Sequence, residues 1–170
     1  LPAVFDAAGD DVAAGSAAGA LGLALFDLGR VDEVRAVVEP RWEALKDRPD
    51  ADDAVFELAS AMGITAPPGE AREYAEAMIR VGVRGGGDRI LARGLNQLGF
   101  YYDAIGLPRI ARMFYTERLG LDNDPRSRMI GLLNLAGSWM PDDLARALDH
   151  STQALEVVQI LQPQQAGLPS

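Results

Sequence analysis

Leu98-Gly99-Phe100-Tyr101-Tyr102-Asp103-Ala104-Ile105-Gly106-Leu107-Pro108-Arg109-Ile110-Ala111 is the stretch that decides the fold. Leu95, Leu98 and Tyr102 recur at helical spacing up to Gly106. A glycine at that point ends a helix in the left-handed region, which side chains with a Cβ avoid. Pro108 follows where a first helical turn has no use for an N–H. The segment therefore reads as one helix, a tight turn and the start of a second helix.

The same order of residues occurs earlier in the chain. Leu21-Gly22, Leu25, Gly29, Val31 and Val34 stand in the places of Leu98-Gly99, Tyr102, Gly106, Pro108 and Ala111, and Val38 matches Tyr115. Every pair is offset by 77 residues. One more hairpin fits between them, around Gly63, Gly69 and Tyr74, and a fourth follows with Leu144, Ala147, Ser151 and Ala154. The period of roughly 36 to 40 residues lies in the range of helical-hairpin repeats. Small residues serve such a stack: Gly22 and Gly99 admit a close partner helix, and Ala111 and Ala147 let the next hairpin nest.

Turn signals divide the chain into eight helix-sized pieces, and strand signals are weak. The first runs from about Asp10 to Leu28, with Leu21, Leu25 and Leu28 on one face. The second begins at Asp32, carries Val34, Val37, Val38, Trp42 and Leu45, and stops before Pro49. The third spans about Asp52 to Met62 with Val55, Leu58 and Met62. The fourth spans Glu70 to Val83 with Tyr74, Met78 and Val81, and Gly85-Gly86-Gly87 follows it. The fifth runs from Asp88 to Ile105, with Leu91, Leu95, Leu98 and Tyr102. The sixth starts at Pro108 and buries Ile110, Ala111, Phe114 and Tyr115. Asp124 as N-cap and Pro125 open the seventh, which uses Ile130, Leu133 and Leu135 and ends near Trp139. The eighth starts at Pro141, carries Leu144, Leu148, Leu155 and Val158, and stops at Pro163. Residues 1–162 read as one repeat domain and 163–170 as a tail or linker.

Composition is that of a folded chain: 170 residues, 48% hydrophobic and 24% charged. The formal net charge of −9 disfavours direct contact with a phosphate backbone, so no direct nucleic-acid binding is expected. The chain contains no cysteine, hence no disulfide or thiolate metal site. No apolar run reaches the roughly 18 residues of a membrane helix. The apolar stretch from Ala17 to Leu28 lacks the basic flank of a signal peptide. A cytoplasmic location follows as the expectation. Leu1 in place of Met reads as a processed start or a piece of a longer chain. Lys46 as the only lysine, among many Arg, Ala, Gly and Asp residues, hints at a GC-rich bacterial genome.

The hairpin pattern resembles the tetratricopeptide repeat, in which a Leu-Gly pair, an aromatic, a turn glycine, an alanine and a closing proline follow in order. Here these are Leu98-Gly99, Tyr102, Gly106, Ala111 and then Asn123-Asp124-Pro125. The stretch from Gly87 to Gly99 is also similar to the long-period repeats of large actinobacterial ATP-dependent transcriptional regulators and signalling ATPases. The resemblance covers about Asp10 to Gln162. It implies an all-α fold of about four antiparallel hairpins stacked into a right-handed superhelix. It also implies a protein- or peptide-binding role as the sensor or interaction arm of a larger bacterial regulator. In such a stack the first helix of each hairpin lines the concave groove. That places Arg93, Asn96, Phe100 and Asp103 there from the third copy, Leu23 and Phe26 from the first, and Met129, Leu132 and Trp139 from the fourth. Arg and Asn beside an aromatic suit an extended peptide's backbone or carboxylate. The alternative is a structural oligomerisation or spacer segment without a ligand, since apolar end faces of a repeat stack favour homo-oligomers.

Catalytic signals are sparse. His150, the only histidine, sits among Asp149, Ser151 and Thr152, but adjacent residues on a helix do not face one another, and a solvent-facing side chain is expected. Arg84-Gly85-Gly86-Gly87-Asp88 lacks the Gly-Lys-Ser/Thr of a phosphate loop. Asp50, Asp52 and Asp53 do not keep calcium-loop spacing. No enzyme activity, cofactor or metal is expected.

Overall fold

The computed structural model describes residues 10–121 and 124–161. The described residues form an all-α array of eight helices, with no strand among them: α1 (Asp11–Asp27), α2 (Val31–Leu45), α3 (Asp52–Thr65), α4 (Ala71–Val81), α5 (Asp88–Ala104), α6 (Pro108–Leu121), α7 (Pro125–Trp139) and α8 (Leu144–Leu161). Consecutive helices pack as antiparallel hairpins, and α1 also lies along α3. A short helical turn, Pro49–Ala51, leads into α3, and a wide turn over Gly82–Gly86 leads from α4 towards α5. The expected tail at 163–170, its Pro163 stop and the Asp122-Asn123 turn lie outside the described residues.

The 77-residue repeat is reproduced bond by bond. Gly29 has φ +73° and Gly106 φ +79°. After each, the chain closes the same helix-ending motif: the Arg30 N–H donates to Leu25 O at 2.8 Å, and the Leu107 N–H donates to Tyr102 O at 2.8 Å. The interhelical contact repeats too. An added Cβ at Gly22 would come nearest to Val38, 2.6 Å from its Cγ2, and one at Gly99 would come nearest to the ring of Tyr115, the residue in the matching place. The second copy departs from this pattern. Its glycine, Gly69, is not left-handed, and Pro67 O instead accepts from the N–H groups of Glu70 and Ala71. The fourth turn has no glycine: Trp139 O accepts from Asp142 and Asp143 N–H.

The main apolar core belongs to α1–α4. Leu25, Val34, Val38, Trp42, Leu45, Val55, Leu58, Met62, Tyr74, Met78 and Val81 form it, and Ile90 joins from α5. α3 is buried almost all round because α1, α2 and α4 surround it. A second, smaller cluster gathers Ala111, Tyr115 and Leu135, with Tyr102, Leu119 and Trp139 against it.

Several expected faces are turned. In α1 the buried side is Ala14, Gly15, Ala18, Gly19, Gly22 and Leu25, while Leu21 and Leu28 are exposed. Close approach to α3 selects small side chains there: a Cβ on Gly19 would lie 2.6 Å from the carbonyl carbon of Glu57. In α6, Ile110 is exposed and Phe114 half-buried. In α7 the core side is Gly131, Leu132, Leu135 and Ala136, leaving Ile130 and Leu133 exposed. In α8 only Ala147 and Ala154 are buried. Leu144, Leu148 and Leu155 are exposed because no described helix covers that side, and Val158 is half-buried. His150 is half-buried rather than solvent-facing. Its Nδ1 is enclosed with no hydrogen-bond partner among the described residues.

Candidate partner-binding groove

Positions i, i+3, i+4 and i+7 share a helix face, and on α5 these are Arg93, Asn96, Gln97 and Phe100. Together they line one side of a groove of 540 Å³. Ser60 and Ile64 of α3 and Met78 of α4 wall it on one flank, and Arg118, Asp124, Ser127 and Ile130 on the other. Arg89, one turn before Arg93, stands at its end. An apolar pocket of 370 Å³ continues from it, sharing Ile64, Gln97 and Phe100 and adding Ala66, Pro68, Tyr101 and Ala104.

Polar links between hairpins hold the groove in shape. Gln97 Nε2 donates to Gly63 O, and a Cβ on residue 63 would meet that amide at 3.0 Å. Asn134 Nδ2 donates to Asn96 Oδ1 at 2.7 Å. Phe100 is 48% exposed and meets the buried Tyr115 ring edge-on at 6.1 Å. The Arg93 guanidinium lies 5.3 Å from the centroid of the buried Phe56 ring. Desolvation there lowers its pKa; the nearby Glu57 carboxylate opposes that shift, and the like charge of Arg89 adds to it. Neither arginine has an ion-pair partner among the described residues, in contrast to Arg30, Arg35, Arg48, Arg72 and Arg84.

Of the residues expected in the groove, Arg93, Asn96 and Phe100 come together. Asp103 does not line it: its carboxylate accepts from Ser138 Oγ at 3.1 Å, tying α5 to α7. It also stands beside Tyr115, where burial first and the carboxylate second push the phenol well above its usual range. Leu23 packs against the main core, and Leu132 is core at 2% exposure. Phe26 remains exposed on α1 and Met129 half-buried on α7; neither is part of the groove wall. Trp139 faces the α6–α8 side, with the guanidinium of Arg112 3.8 Å from its ring centroid and that of Arg146 at 4.5 Å.

Two buried arginines were not anticipated. Arg112 donates to Ser138 O at 3.0 Å and to Asp142 at 2.7 Å. Arg118 donates to Ser127 O and Oγ, both at 2.8 Å. Their spacing carried the signal: Arg118 stands three residues after Tyr115 and Arg112 three before it, on the same helix face. Gln97 and Arg89 were also missed, although Gln97 neighbours Asn96 and Arg89 precedes Arg93 by one turn. Among the described residues no group of three His, Asp or Glu side chains is placed to hold a metal ion. None of the helices is long and apolar enough to cross a membrane.

No protein-family model matches the chain, and no curated protein matches its sequence. Among solved structures it is similar to the crystal structure of BtubC (BKLC) from P. vanneervenii, with a TM-score of 0.70 at 16% sequence identity. The match covers 95% of this chain and 68% of that one. At this identity the likeness is one of fold.

Proposed function

We propose that the chain is a tetratricopeptide-type scaffold that binds a protein or peptide segment without catalysing a reaction. In this reading it serves as the sensor or interaction arm of a larger cytoplasmic bacterial regulator of transcription or signalling. The observation that carries the binding role is the groove itself. One face of α5 sets Arg93 and Phe100 in an open trough whose flanks come from three different hairpins. The resemblance of Leu98–Ala111 to the tetratricopeptide pattern supports the same role. The test is a peptide-array screen of the wild type against an Arg93→Ala/Phe100→Ala double variant, with circular dichroism to check folding. Peptides retained by the wild type and lost by the folded variant are the expected result. Retention equal in both, or no retained peptide, refutes the groove role.

A second reading, self-association, is favoured by α8, where Leu144, Leu148, Leu155 and Ile160 are 57–72% exposed. Exposed apolar patches of this kind mark interaction surfaces. Sedimentation across a concentration series tests it. A monomer at all concentrations, unchanged by Leu148→Ser/Leu155→Ser, rules this reading out.

A further inference from the structure

A wide cavity of 1010 Å³ lies between α6 and the turn from α7 to α8, and it shares no lining residue with the groove. Trp139 lines it where α7 ends, and two guanidiniums lie against the indole: that of Arg112 at 3.8 Å from the ring centroid and that of Arg146 at 4.5 Å. The two are held differently. Arg112 is 7% exposed and donates to Ser138 O and to Asp142, so it fixes the ring from within the fold. The Arg146 side chain is 62% exposed, and its ion-pair partner is Asp143, one turn away at 3.3 Å. An exposed cation–π contact and an exposed i,i+3 pair are both weak in water. Arg146 is therefore a loose cover on a firmly held indole.

Charge in the cavity is uneven. Asp142 neutralises Arg112, and Asp143 neutralises Arg146. Arg109 and Glu117 have no ion-pair partner among the described residues. They stand eight residues apart on α6, about 12 Å at 1.5 Å per residue, so Glu117 does not cancel Arg109. Arg109 is exposed and sits one turn before Arg112 on the same face of α6. An uncommitted cation thus stands beside a preorganised aromatic ring.

We propose that this cavity binds a small planar aromatic anion, its ring stacked on Trp139 in the place of the Arg146 guanidinium and its anionic group on Arg109. The site is independent of the groove and of whatever occupies it. Stacking a ring on the indole removes apolar surface from water, which the hydrated guanidinium of Arg146 does not. Because Arg112 already holds the indole in place, little ordering is left to oppose binding. A planar cation is disfavoured, since three guanidiniums surround the site. A simple anion without a ring is a poor ligand too, because a chain of net charge −9 repels it. The cavity is of the size that takes a small molecule. Carboxylates and phosphates share the chemistry a guanidinium fork receives, so the anionic group is either of these.

The experiment is NMR titration of the indole N–H signals. The chain has two tryptophans. Trp42 is buried in the main core, so its signal is the internal control for that of Trp139. The probes are adenosine 5′-monophosphate and 2-naphthoate, a phosphate and a carboxylate on an aromatic frame. Adenosine and 2-naphthamide are the matching neutral rings; ribose 5-phosphate and acetate are the matching anions without an aromatic ring. Arg109→Gln and Trp139→Leu variants, with folding checked by circular dichroism and binding followed by calorimetry, complete the set. The expected result is that at least one aromatic anion shifts the Trp139 signal and leaves that of Trp42 in place. Its affinity falls roughly tenfold or more in each variant and for each matching control. Response to one probe alone names the anionic group. Equal binding of the neutral ring overturns the anion assignment, and equal binding of the ringless anion overturns the stacking. Unchanged affinity in Arg109→Gln, an exposed substitution that decides alone if Trp139→Leu does not fold, overturns the role of Arg109. No shift of the Trp139 signal with either probe at millimolar concentration, or equal shifts of both indoles, overturns the proposal.

Discussion

Replacing Gly19 with alanine tests the glycine whose added Cβ would come nearest to the backbone of another helix among the described residues. Gly19 lies in the middle of α1, and its added Cβ would stand 2.6 Å from the carbonyl carbon of Glu57 and 2.8 Å from Leu58 N. Both are backbone atoms of α3, which is gripped on its other sides by α2 and α4. The neighbour cannot rotate away, so α1 must lift. Overpacking of this kind costs about 1–3 kcal/mol. Alanine returns about 0.5–1 kcal/mol of helix propensity. The midpoints of these ranges leave a net loss of about 1 kcal/mol, or a melting point lower by about 2–4 °C for a chain of this length. Gly137→Ala is the matched control: it sits in α7 with nothing within 4 Å of an added Cβ. There only the propensity gain acts, and the melting point rises by about 1–4 °C. Circular dichroism melts and urea midpoints of the two variants decide the matter. A Gly19→Ala protein as stable as the wild type refutes the small-residue packing of α1 on α3.

Asp124→Ala removes the carboxylate that accepts from Ser127 N–H at 2.8 Å, and urea titration should show a loss of about 1 kcal/mol. Arg112→Met keeps the side-chain stem and removes the guanidinium that joins Ser138 O and Asp142. A loss of about 2 kcal/mol is expected, and an unchanged urea midpoint would deny the buried arginine a structural role. Tyr74 and Tyr115 carry phenol pKa values raised above their usual one, chiefly by burial. A folded-state pKa above the unfolded value of about 10 gives stability that is present below pH 10 and lost as pH rises beyond it. Carbon-13 tyrosine NMR should therefore show these two rings ionising together with loss of helix. Ionisation with the helical signal intact would contradict their burial.

The repeat was legible because its marks are local. A left-handed glycine, a first-turn proline and an aspartate cap state their geometry within a few residues, and Gly29, Gly106, Pro108, Asp124 and Pro125 all take the expected places. Which face of a helix is buried was less legible. α1 is apolar on every side, and counting leucines selects Leu21 and Leu28, whereas the packing selects Gly15, Gly19 and Gly22 because only they let α3 approach. In α8 the leucines recur at helical spacing but lie outside, since periodicity does not say which side has a neighbour. The same gap explains the groove. Arg93, Asn96 and Phe100 share a face by arithmetic alone, whereas Leu132 and Trp139 needed the phase of α7, which the sequence left open.

The groove also lies across the boundary between the two apolar clusters. One flank, Ser60, Ile64 and Met78, is anchored in the large cluster of α1–α4; the other, Arg118 and Ser127, stands beside the small cluster of α6 and α7. Amide protons of α7 and α8 should therefore exchange with solvent long before those of α3, since few buried contacts oppose opening at that end. An occupant touching both flanks would act as a clasp. It would slow exchange in α6–α8 while adding little to the protection of α3, turning an event in the groove into a change of stiffness along the chain.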